Sequence, residues 1–440
     1  MNVLVGRSTL IIRALAKAAQ ALTGYAVAVS VVERHMPEHL SLASLEERMQ
    51  AAFGSNITVE GPLSASGAGV RLHGLDLVDR LAPNQVATLL DALAWYRIVT
   101  LPGQDLERLS LDRFERFANY WGAPVPHPSN FMRGGKPGQS DGATEGAIEM
   151  RPRSQRVSAR VDAAFEGLDC MAHDSPAVLV VANFIGNPAK PGELPSGPPT
   201  TVRGGTWHTD IEYEPLPIYV SMFLVHKAPG LRDANGHWVA DPNTGDNDAK
   251  PYFEGSSNEL MDRRKRLPLD GETAFVDTAA AFTALGSEAQ AHCRKLRLRR
   301  RLNEGDAGWL APIVRRNPRS GLESLHSPIW ASRPGVRPPV FVDGETEEAS
   351  RRILDDLEAH VLNPEFRYDH VHNPGDVTIW DNYMTLHNSP PMKVNIRSSE
   401  DARLMYRLSC KGEPSLTLPR QDAPAWLRSH ISAGYRTPGS

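Results

Sequence analysis

The sequence predicts a globular protein with a mainly β core, flanking α-helices and long loop insertions, an α+β class. With 41% hydrophobic residues over 440 positions, the chain can bury a large core. Short apolar runs of strand length predict β-strands at 98–101, 177–181, 218–225, 376–380 and 403–410. Apolar residues at helical spacing predict amphipathic helices near 86–93, 111–121 and 345–361.

The strand and helix patterns suggest one large domain with two insertions. We expect this domain at 56–415, between an N-terminal extension (1–55) and a C-terminal tail (416–440). Polar stretches at 128–160 and 231–269 lack periodicity and are expected to be long loops, which in compact domains are often functional.

The N-terminal 32 residues contain no Asp or Glu, while Arg7, Arg13 and Lys17 punctuate an Ala- and Leu-rich stretch. This composition is typical of an organelle targeting segment. A packed N-terminal helix, or a natural start at Met36, explains it as well, so the three interpretations stay open.

Charge and cysteine content limit the classes of partner and the location expected for this chain. A formal net charge of −4 gives no basic footprint for nucleic acid, so a small-molecule substrate is expected instead. No apolar run reaches membrane-spanning length, and no membrane partner is expected. Three widely spaced cysteines offer neither a disulfide framework nor a Cys-x-x-Cys site, which favours a cytoplasmic location. Composition leaves homo-oligomerisation open.

The clearest chemical signal is a histidine and an aspartate two residues apart, His208 and Asp210. In an extended segment alternate side chains share a face, so both would point the same way. Downstream, His387 follows a turn and a strand-like run and is expected just past the strand end. Two histidines and one carboxylate form the facial triad of non-haem iron oxygenases. A lone His-x-Asp pair is more often a surface pair, so the downstream context carries the prediction.

A second signal is the arginine pair of the last strand-like run. With period-2 alternation, Arg403, Met405 and Arg407 share one face, and Leu404 and Tyr406 share the other. One guanidinium could bind a carboxylate through a bidentate fork, and the other could reach a second anion or the ligand shell. The alternative is two solvent-facing arginines on an edge strand.

Together these motifs resemble the TauD/TfdA family of Fe(II)/2-oxoglutarate-dependent dioxygenases. The resemblance covers about Ile57 to Glu413 in family order. The matching motifs are Gly204-Gly205-x-Trp207-His208-x-Asp210, Gly271-Glu272-Thr273, PIVRRNPRSG at 312–321, GDVTIWDN at 375–382 with His387, and Arg403-x-x-x-Arg407. The interval from His387 to Arg403 is longer than the family pattern and predicts a longer loop at 388–400.

The resemblance implies a double-stranded β-helix, the jelly-roll or cupin-like fold, and a site built from matching residues. His208, Asp210 and His387 would hold Fe(II), while Thr273 and Arg403 would bind the distal carboxylate of 2-oxoglutarate. Arg407 would lie near the metal and contact the cosubstrate or an anionic substrate. With O2, such a site hydroxylates an unactivated C–H bond and releases succinate and CO2.

Other outcomes remain open on the same residues. The ligand set also suits desaturation or ring formation in natural-product tailoring. A zinc hydrolase could use the same three ligands, and a cupin-like protein could bind a ligand without catalysis. Neither of these two needs Thr273 and the arginine strand, which favours the oxygenase.

Several further residues are expected to be structural. His226 is predicted to be a packed core histidine, and His326 either lines the pocket or packs. Trp207 and Trp380 flank ligands and are predicted to pack behind them. The basic run Arg294–Arg301 suggests an anion-binding patch, but a solvated helix or strand face is favoured, and no role is assigned to it.

Overall fold

The computed structural model describes twelve segments of the chain. They are residues 39–127, 130–133, 148–162, 164–184, 200–202, 206–212, 217–230, 256–267, 272–301, 308–329, 340–388 and 392–411. Residues 1–38 of the predicted N-terminal extension, most of the 231–269 insertion and the predicted tail lie outside them. None of the helices within these segments is long and apolar enough to cross a membrane.

Nineteen short strands and eight helices occur in the described segments. The strands are β1 (Thr58–Glu60), β2 (Val70–His73), β3 (Ile98–Leu101), β4 (Phe131–Arg133), β5 (Ile148–Met150), β6 (Leu179–Ala182), β7 (Thr200–Val202), β8 (Val220–Lys227), β9 (Thr273–Asp277), β10 (Arg297–Arg300), β11 (Trp309–Pro312), β12 (Val314–Arg316), β13 (Glu323–Leu325), β14 (Val340–Val342), β15 (Arg367–His370), β16 (Val377–Asp381), β17 (Thr385–Asn388), β18 (Met392–Val394) and β19 (Leu404–Cys410). The helices are α1 (Leu42–Phe53), α2 (Pro83–Tyr96), α3 (Leu111–Ala118), α4 (Val157–Asp162), α5 (Asn258–Lys265), α6 (Thr278–Ala284), α7 (Ser287–Lys295) and α8 (Glu347–Val361).

Two sheets form the centre of the fold. The larger has seven strands in the order β1-β2-β3-β16-β8-β19-β6, all antiparallel neighbours except the parallel pair β2 and β3. The smaller has three strands in the order β15-β9-β17, all antiparallel. Since β19 lies between β8 and β6, it is not an edge strand, and the edge-strand alternative for its arginines is wrong.

Helices cover the outer face of each of the two sheets. The larger sheet packs Leu404 and Tyr406 against an apolar cluster that includes Leu89 of α2 and Phe114 of α3. The smaller sheet packs its Val276 face against α6, α7 and α8. The predicted strands and helices at these positions are confirmed, because their apolar periodicity matches the face that each element buries.

The inner faces of the two sheets pack against each other. Phe223 of β8 and Met405 of β19 lie in one buried cluster with Phe275 of β9 and Trp380 of β16. Met405 therefore points opposite to Leu404 and Tyr406, and the predicted alternation along this strand is confirmed. Functional side chains that share the inner face are held in this intersheet space.

Two predicted loop regions contain regular structure. Within 128–160, β4 and β5 pair as an antiparallel ribbon, and α4 begins at Val157. Within 231–269, α5 spans Asn258–Lys265 and starts at Ser257, whose hydroxyl accepts from the Leu260 N–H. The prediction of unbroken loops is wrong there, because short capped elements without a long apolar stripe leave little periodic signal.

Candidate metal centre and cosubstrate pocket

Backbone pairing brings the two histidines of the predicted triad together. The His208 N–H donates to the His387 carbonyl at 3.1 Å, and the His387 N–H donates to the His208 carbonyl at 2.9 Å. The two ring centroids are 4.4 Å apart. His387 lies inside β17 rather than past a strand end, so that expectation is wrong. Its position opposite Phe275 aims its ring into the intersheet space.

The carboxylate of Asp210 completes the cluster. One potential ligand atom from each of His208, Asp210 and His387 lies within 4.8 Å of the others. Asp210 belongs to a turn rather than to a continuous strand, and the next residue, Ile211, has a φ of 53°. Alternation along a strand predicted that the side chains of His208 and Asp210 share one face. In the structure this turn, and not a continuous strand, brings the two side chains together.

Two hydrogen bonds fix the Asp210 carboxylate. The Ser221 hydroxyl donates to Oδ2 at 2.5 Å, and Arg407 donates from Nη1 to Oδ1 at 3.0 Å. Burial alone would raise the pKa of Asp210, but Arg407, His387 and His208 together with the Ser221 hydroxyl hold it below its ordinary value. The group is therefore an anionic ligand in a buried setting.

Asn382 ties the turn that carries Asp210 to the larger sheet. Its side-chain oxygen accepts from the Asp210 N–H at 3.3 Å, and its Nδ2 donates to the Ser221 hydroxyl at 2.9 Å. Its backbone carbonyl accepts from the Thr209 hydroxyl at 2.7 Å. Asn382 is fully buried, so these bonds are shielded from water. Such contacts behind a ligand set its orientation.

The histidine tautomers suit metal binding. His208 Nδ1 lies 2.7 Å from the Thr206 carbonyl, which makes Nδ1 the protonated nitrogen and leaves Nε2 as the ligand atom. Burial, followed by the neighbouring His208, lowers the pKa of His387 to about 3, so its ring is neutral at physiological pH. Neutral imidazole is the form that binds metal.

The spacing of these atoms fits one ion. His387 Nε2 and Asp210 Oδ1 are 3.8 Å apart. Two ligands at about 2.0 to 2.2 Å from a first-row ion span at most about 4.4 Å. The carboxylate oxygen that accepts from Arg407 keeps a second lone pair for the metal.

Thr273 and Arg403, predicted to bind the cosubstrate, both lie deeper in the intersheet space. The Thr273 hydroxyl hydrogen-bonds His372 Nε2 at 2.8 Å. The His372 ring packs edge-on against Phe223 at 5.9 Å, and the Arg403 guanidinium lies over the same Phe223 ring at 5.9 Å. Thr273 and Arg403 are each 3% exposed, so bulk solvent has almost no access to either residue. The Phe223 ring thus contacts both Arg403 and His372, the hydrogen-bond partner of Thr273.

Two residues that interact with predicted site residues were not predicted from the sequence. His372 precedes the turn at Gly375 and carries no motif of its own; only its place before the GDVTIWDN segment marked it. His127 is half-buried, and its pKa falls to about 4 because of desolvation and the charge of Arg407, with Asp210 opposing. It therefore lies within electrostatic range of the site. The dipeptide His127-Pro128 before the first insertion was the available signal.

The remaining predicted residues are structural, as expected, with one exception. Trp207 and Trp380 are fully buried, and Trp380 packs edge-on to His387 at 5.3 Å. His226 hydrogen-bonds the Tyr406 hydroxyl at 2.8 Å. The predicted solvated face at 294–301 is wrong for Arg300, which is 2% exposed.

His387 on β17, with His208 and Asp210 on the segment that pairs with it, matches the facial triad of two histidines and one carboxylate found in mononuclear metal sites. The family model "Taurine catabolism dioxygenase TauD, TfdA family" matches residues 61–408, and the chain belongs to this family. The family resemblance predicted from the motifs is thereby confirmed, as is the expectation of an oxidoreductase family.

Individual relatives match over part of their length. Pentalenolactone F synthase of Streptomyces arenae is 28% identical over 144 residues, 27% of this chain and 46% of that protein. The alpha-ketoglutarate-dependent 2,4-dichlorophenoxyacetate dioxygenase of Cupriavidus pinatubonensis is 30% identical over 146 residues, 30% of this chain and 48% of that protein. The chain thus spans about half the length of these relatives. A taurine dioxygenase structure from Burkholderia xenovorans aligns at a TM-score of 0.49 with 21% identity, covering 86% of this chain and 98% of that one.

Proposed function

We propose that this protein is an Fe(II)- and 2-oxoglutarate-dependent dioxygenase that oxidises a small organic substrate, most simply by hydroxylation. The observation that carries the proposal is the triad of His208, Asp210 and His387, with ligand atoms within 4.8 Å, beside the buried pair Thr273 and Arg403. Bound iron and 2-oxoglutarate would supply oxidation of a C–H bond by O2, with release of succinate and CO2. We also infer that the two facing sheets form the double-stranded β-helix of the family.

In this proposal the triad holds the metal on one side only. Three protein ligands on one face of an ion leave positions open for the cosubstrate and O2. Ser221 and Asn382 keep the carboxylate of Asp210 in one orientation through the hydrogen bonds described above. Their role is to preorganise the ligand, because a carboxylate free to rotate would bind metal more weakly.

Arg403 and Thr273 would hold the far carboxylate of the cosubstrate. A guanidinium binds a carboxylate through two parallel N–H donors, and a threonine hydroxyl adds a third donor. His372 fixes the Thr273 hydroxyl through its hydrogen bond at 2.8 Å. Because these groups are almost fully buried, each interaction acts in a medium of low dielectric and gains strength.

Apolar side chains between the sheets exclude water from the space around the metal. Phe223, Phe275, Trp380 and Met405 pack there with almost no exposed surface. A dry site protects a reactive oxidant from side reactions, so this packing suits an oxygenase.

Arg407 is the residue where an anionic group of the substrate would bind. Its side chain is 18% exposed, more than that of Asp210, and it faces the metal cluster. His127 lies within electrostatic range of it. The name of one relative specifies a small carboxylate, 2,4-dichlorophenoxyacetate, in keeping with a carboxylate-bearing substrate.

O2-dependent succinate formation tests this function. The purified protein would be incubated with Fe(II), labelled 2-oxoglutarate and a panel of small carboxylic acids, and succinate would be measured against consumed 2-oxoglutarate. We expect uncoupled succinate formation without substrate, faster turnover with one class of acid, and none in His387→Ala. A folded, metal-loaded protein that forms no succinate under any condition would refute the proposal and favour a zinc hydrolase or a binding protein.

A further inference from the structure

A second cluster of charged residues includes Arg300 of the basic run 294–301. Arg299 and Arg300 are neighbours on β10 and point to opposite faces. Arg299 is partly exposed and pairs with Asp343 at 3.3 Å. Arg300 is 2% exposed and points inward. A guanidinium in such a place needs partners for its charge and for its N–H donors.

Arg300 finds only part of that compensation. Its Nη2 donates to the carbonyls of His326 and Ser327, at 2.8 and 2.7 Å. The nearest carboxylate, Glu212, places Oε1 3.6 Å from Nη1, beyond hydrogen-bond distance. Its other oxygen accepts from the Ser327 hydroxyl. The Nε and Nη1 donors of Arg300 have no hydrogen-bond partner in the described structure.

A second buried guanidinium, that of Arg315, lies close by. Arg315 of β12 stands opposite Ser324 of β13, so it shares a sheet face with Ser324 and with His326 two residues on. Its guanidinium lies over the Tyr383 ring, 4.8 Å from the centroid. The Nε and Nη2 donors of Arg315 also lack partners, although the residue is only 7% exposed.

His326 also packs against Tyr383 and is the third member of the cluster. Its ring meets the Tyr383 ring edge-on, with centroids 5.5 Å apart. His326 is completely buried, and neither of its ring nitrogens has a partner. Burial, with the charges of Arg315 and Arg300, holds its pKa well below the ordinary value. A neutral imidazole still offers one N–H donor.

Among the described residues, the charges of this cluster do not balance. Glu212 pairs with Arg300, whereas the buried Arg315 guanidinium lies over the Tyr383 ring. Buried charges are normally paired and hydrogen-bonded, and buried donors are normally satisfied. Unpartnered donors on three neighbouring side chains mark a region where a negative ligand would satisfy the donors and offset the charge at once.

We propose that Arg300, Arg315 and His326 enclose a binding site for a small monovalent anion of the size of chloride. The three lining residues are at most 7% exposed, which favours a halide over a substrate acid or a phosphate ester. The site adjoins the metal centre without sharing its ligands, since Glu212 lies two residues after Asp210 and Tyr383 directly follows Asn382. An anion there would stabilise both the turn that carries Asp210 and Glu212 and the turn that carries Asn382 and Tyr383. The proposal does not depend on the dioxygenase reaction.

Bromide replacement tests the site directly. Crystals of the wild-type protein would be grown with bromide in place of chloride, and anomalous scattering would be measured at the bromine edge. In solution, the thermal midpoint would be followed against chloride or bromide at constant ionic strength, with gluconate as the bulky replacement anion. We expect an anomalous peak between the two guanidiniums and a saturable rise in midpoint.

Variants assign the effect to the cluster. Arg315→Met should weaken the apparent halide affinity at least tenfold, whereas Arg299→Met, one residue from Arg300 but on the outer face, should leave it unchanged. If Arg315→Met fails to fold, the bromide measurements on the wild type still decide. No anomalous peak, a peak without any halide effect in solution, or an equal response in both variants would each overturn the proposal.

Discussion

Removing the Ser221 hydroxyl should weaken metal binding, although Ser221 is not a ligand. In Ser221→Ala, Oδ2 of Asp210 loses a 2.5 Å hydrogen bond and Asn382 Nδ2 loses its acceptor. A buried hydrogen bond to a charged group contributes about 1.5 to 3 kcal/mol. At about 1.4 kcal/mol per factor of ten, the expected loss in metal affinity is roughly 10- to 150-fold.

The assay is a competition titration of Fe(II) or Mn(II) against a chelator under anaerobic conditions. The matched control is Ser350→Ala, a buried serine on α8 whose hydroxyl accepts from the Val342 N–H at 3.0 Å, away from the metal centre. It should lower stability without changing metal affinity. Equal affinities for wild type and Ser221→Ala would refute the reasoning that this hydrogen bond orients the Asp210 carboxylate.

Three further perturbations test the pocket, a buried histidine and a buried ion pair. His372→Phe should weaken 2-oxoglutarate binding about fivefold, since it removes one neutral hydrogen bond, of about 1 kcal/mol, to Thr273. Burial lowers the pKa of His370 to about 3, so below about pH 6.5 the unfolded chain binds one more proton than the folded chain. As the pH falls below about 6.5, the free energy of unfolding therefore falls by about 1.4 kcal/mol per pH unit. His370→Phe should remove this part of the pH dependence, as measured by urea unfolding. Arg264→Met should lower the free energy of unfolding by about 3 to 5 kcal/mol, because it strands the buried Glu358 carboxylate.

Each of these has a matched comparison. A 2-oxoglutarate affinity that is the same in His372→Phe as in wild type would show that this ring does not support Thr273. For the acid slope, a loss of stability in acid that is as steep in His370→Phe as in wild type would contradict the effect assigned to the buried ring. For the ion pair, Arg352→Met removes an exposed partner of Glu348 and should cost less than about 1 kcal/mol. A loss as small in Arg264→Met would contradict the assigned burial.

The metal centre could be predicted from sequence because its residues occur in ordered motifs. The period-2 pattern of residues 403–410 predicts Arg403, Met405 and Arg407 on one face. What could not be predicted was the partner strand of each ligand. His208 meets His387 through a backbone pairing across 179 positions of chain, and single-strand periodicity contains no information about such long-range pairing.

Residues that support the ligands were harder to find. Ser221 and Asn382 are common polar residues whose role depends on the register that brings them beside Asp210. The same holds for His372, which matters through one contact with Thr273. Arg300 was predicted to lie on a solvated face because a run of like charges is usually exposed. Only the structure shows that its side chain lies on the inward-facing side of β10.

The most direct test of the central proposal is anaerobic addition of Fe(II) and 2-oxoglutarate, watching for the weak visible metal-to-ligand charge-transfer band. The band is expected in wild type and in His226→Gln, a histidine outside the triad, and it should be absent in His208→Ala. A folded, iron-loaded wild type that shows no band, or a band of equal strength in His208→Ala, would contradict the assignment of this triad as the site of cosubstrate binding.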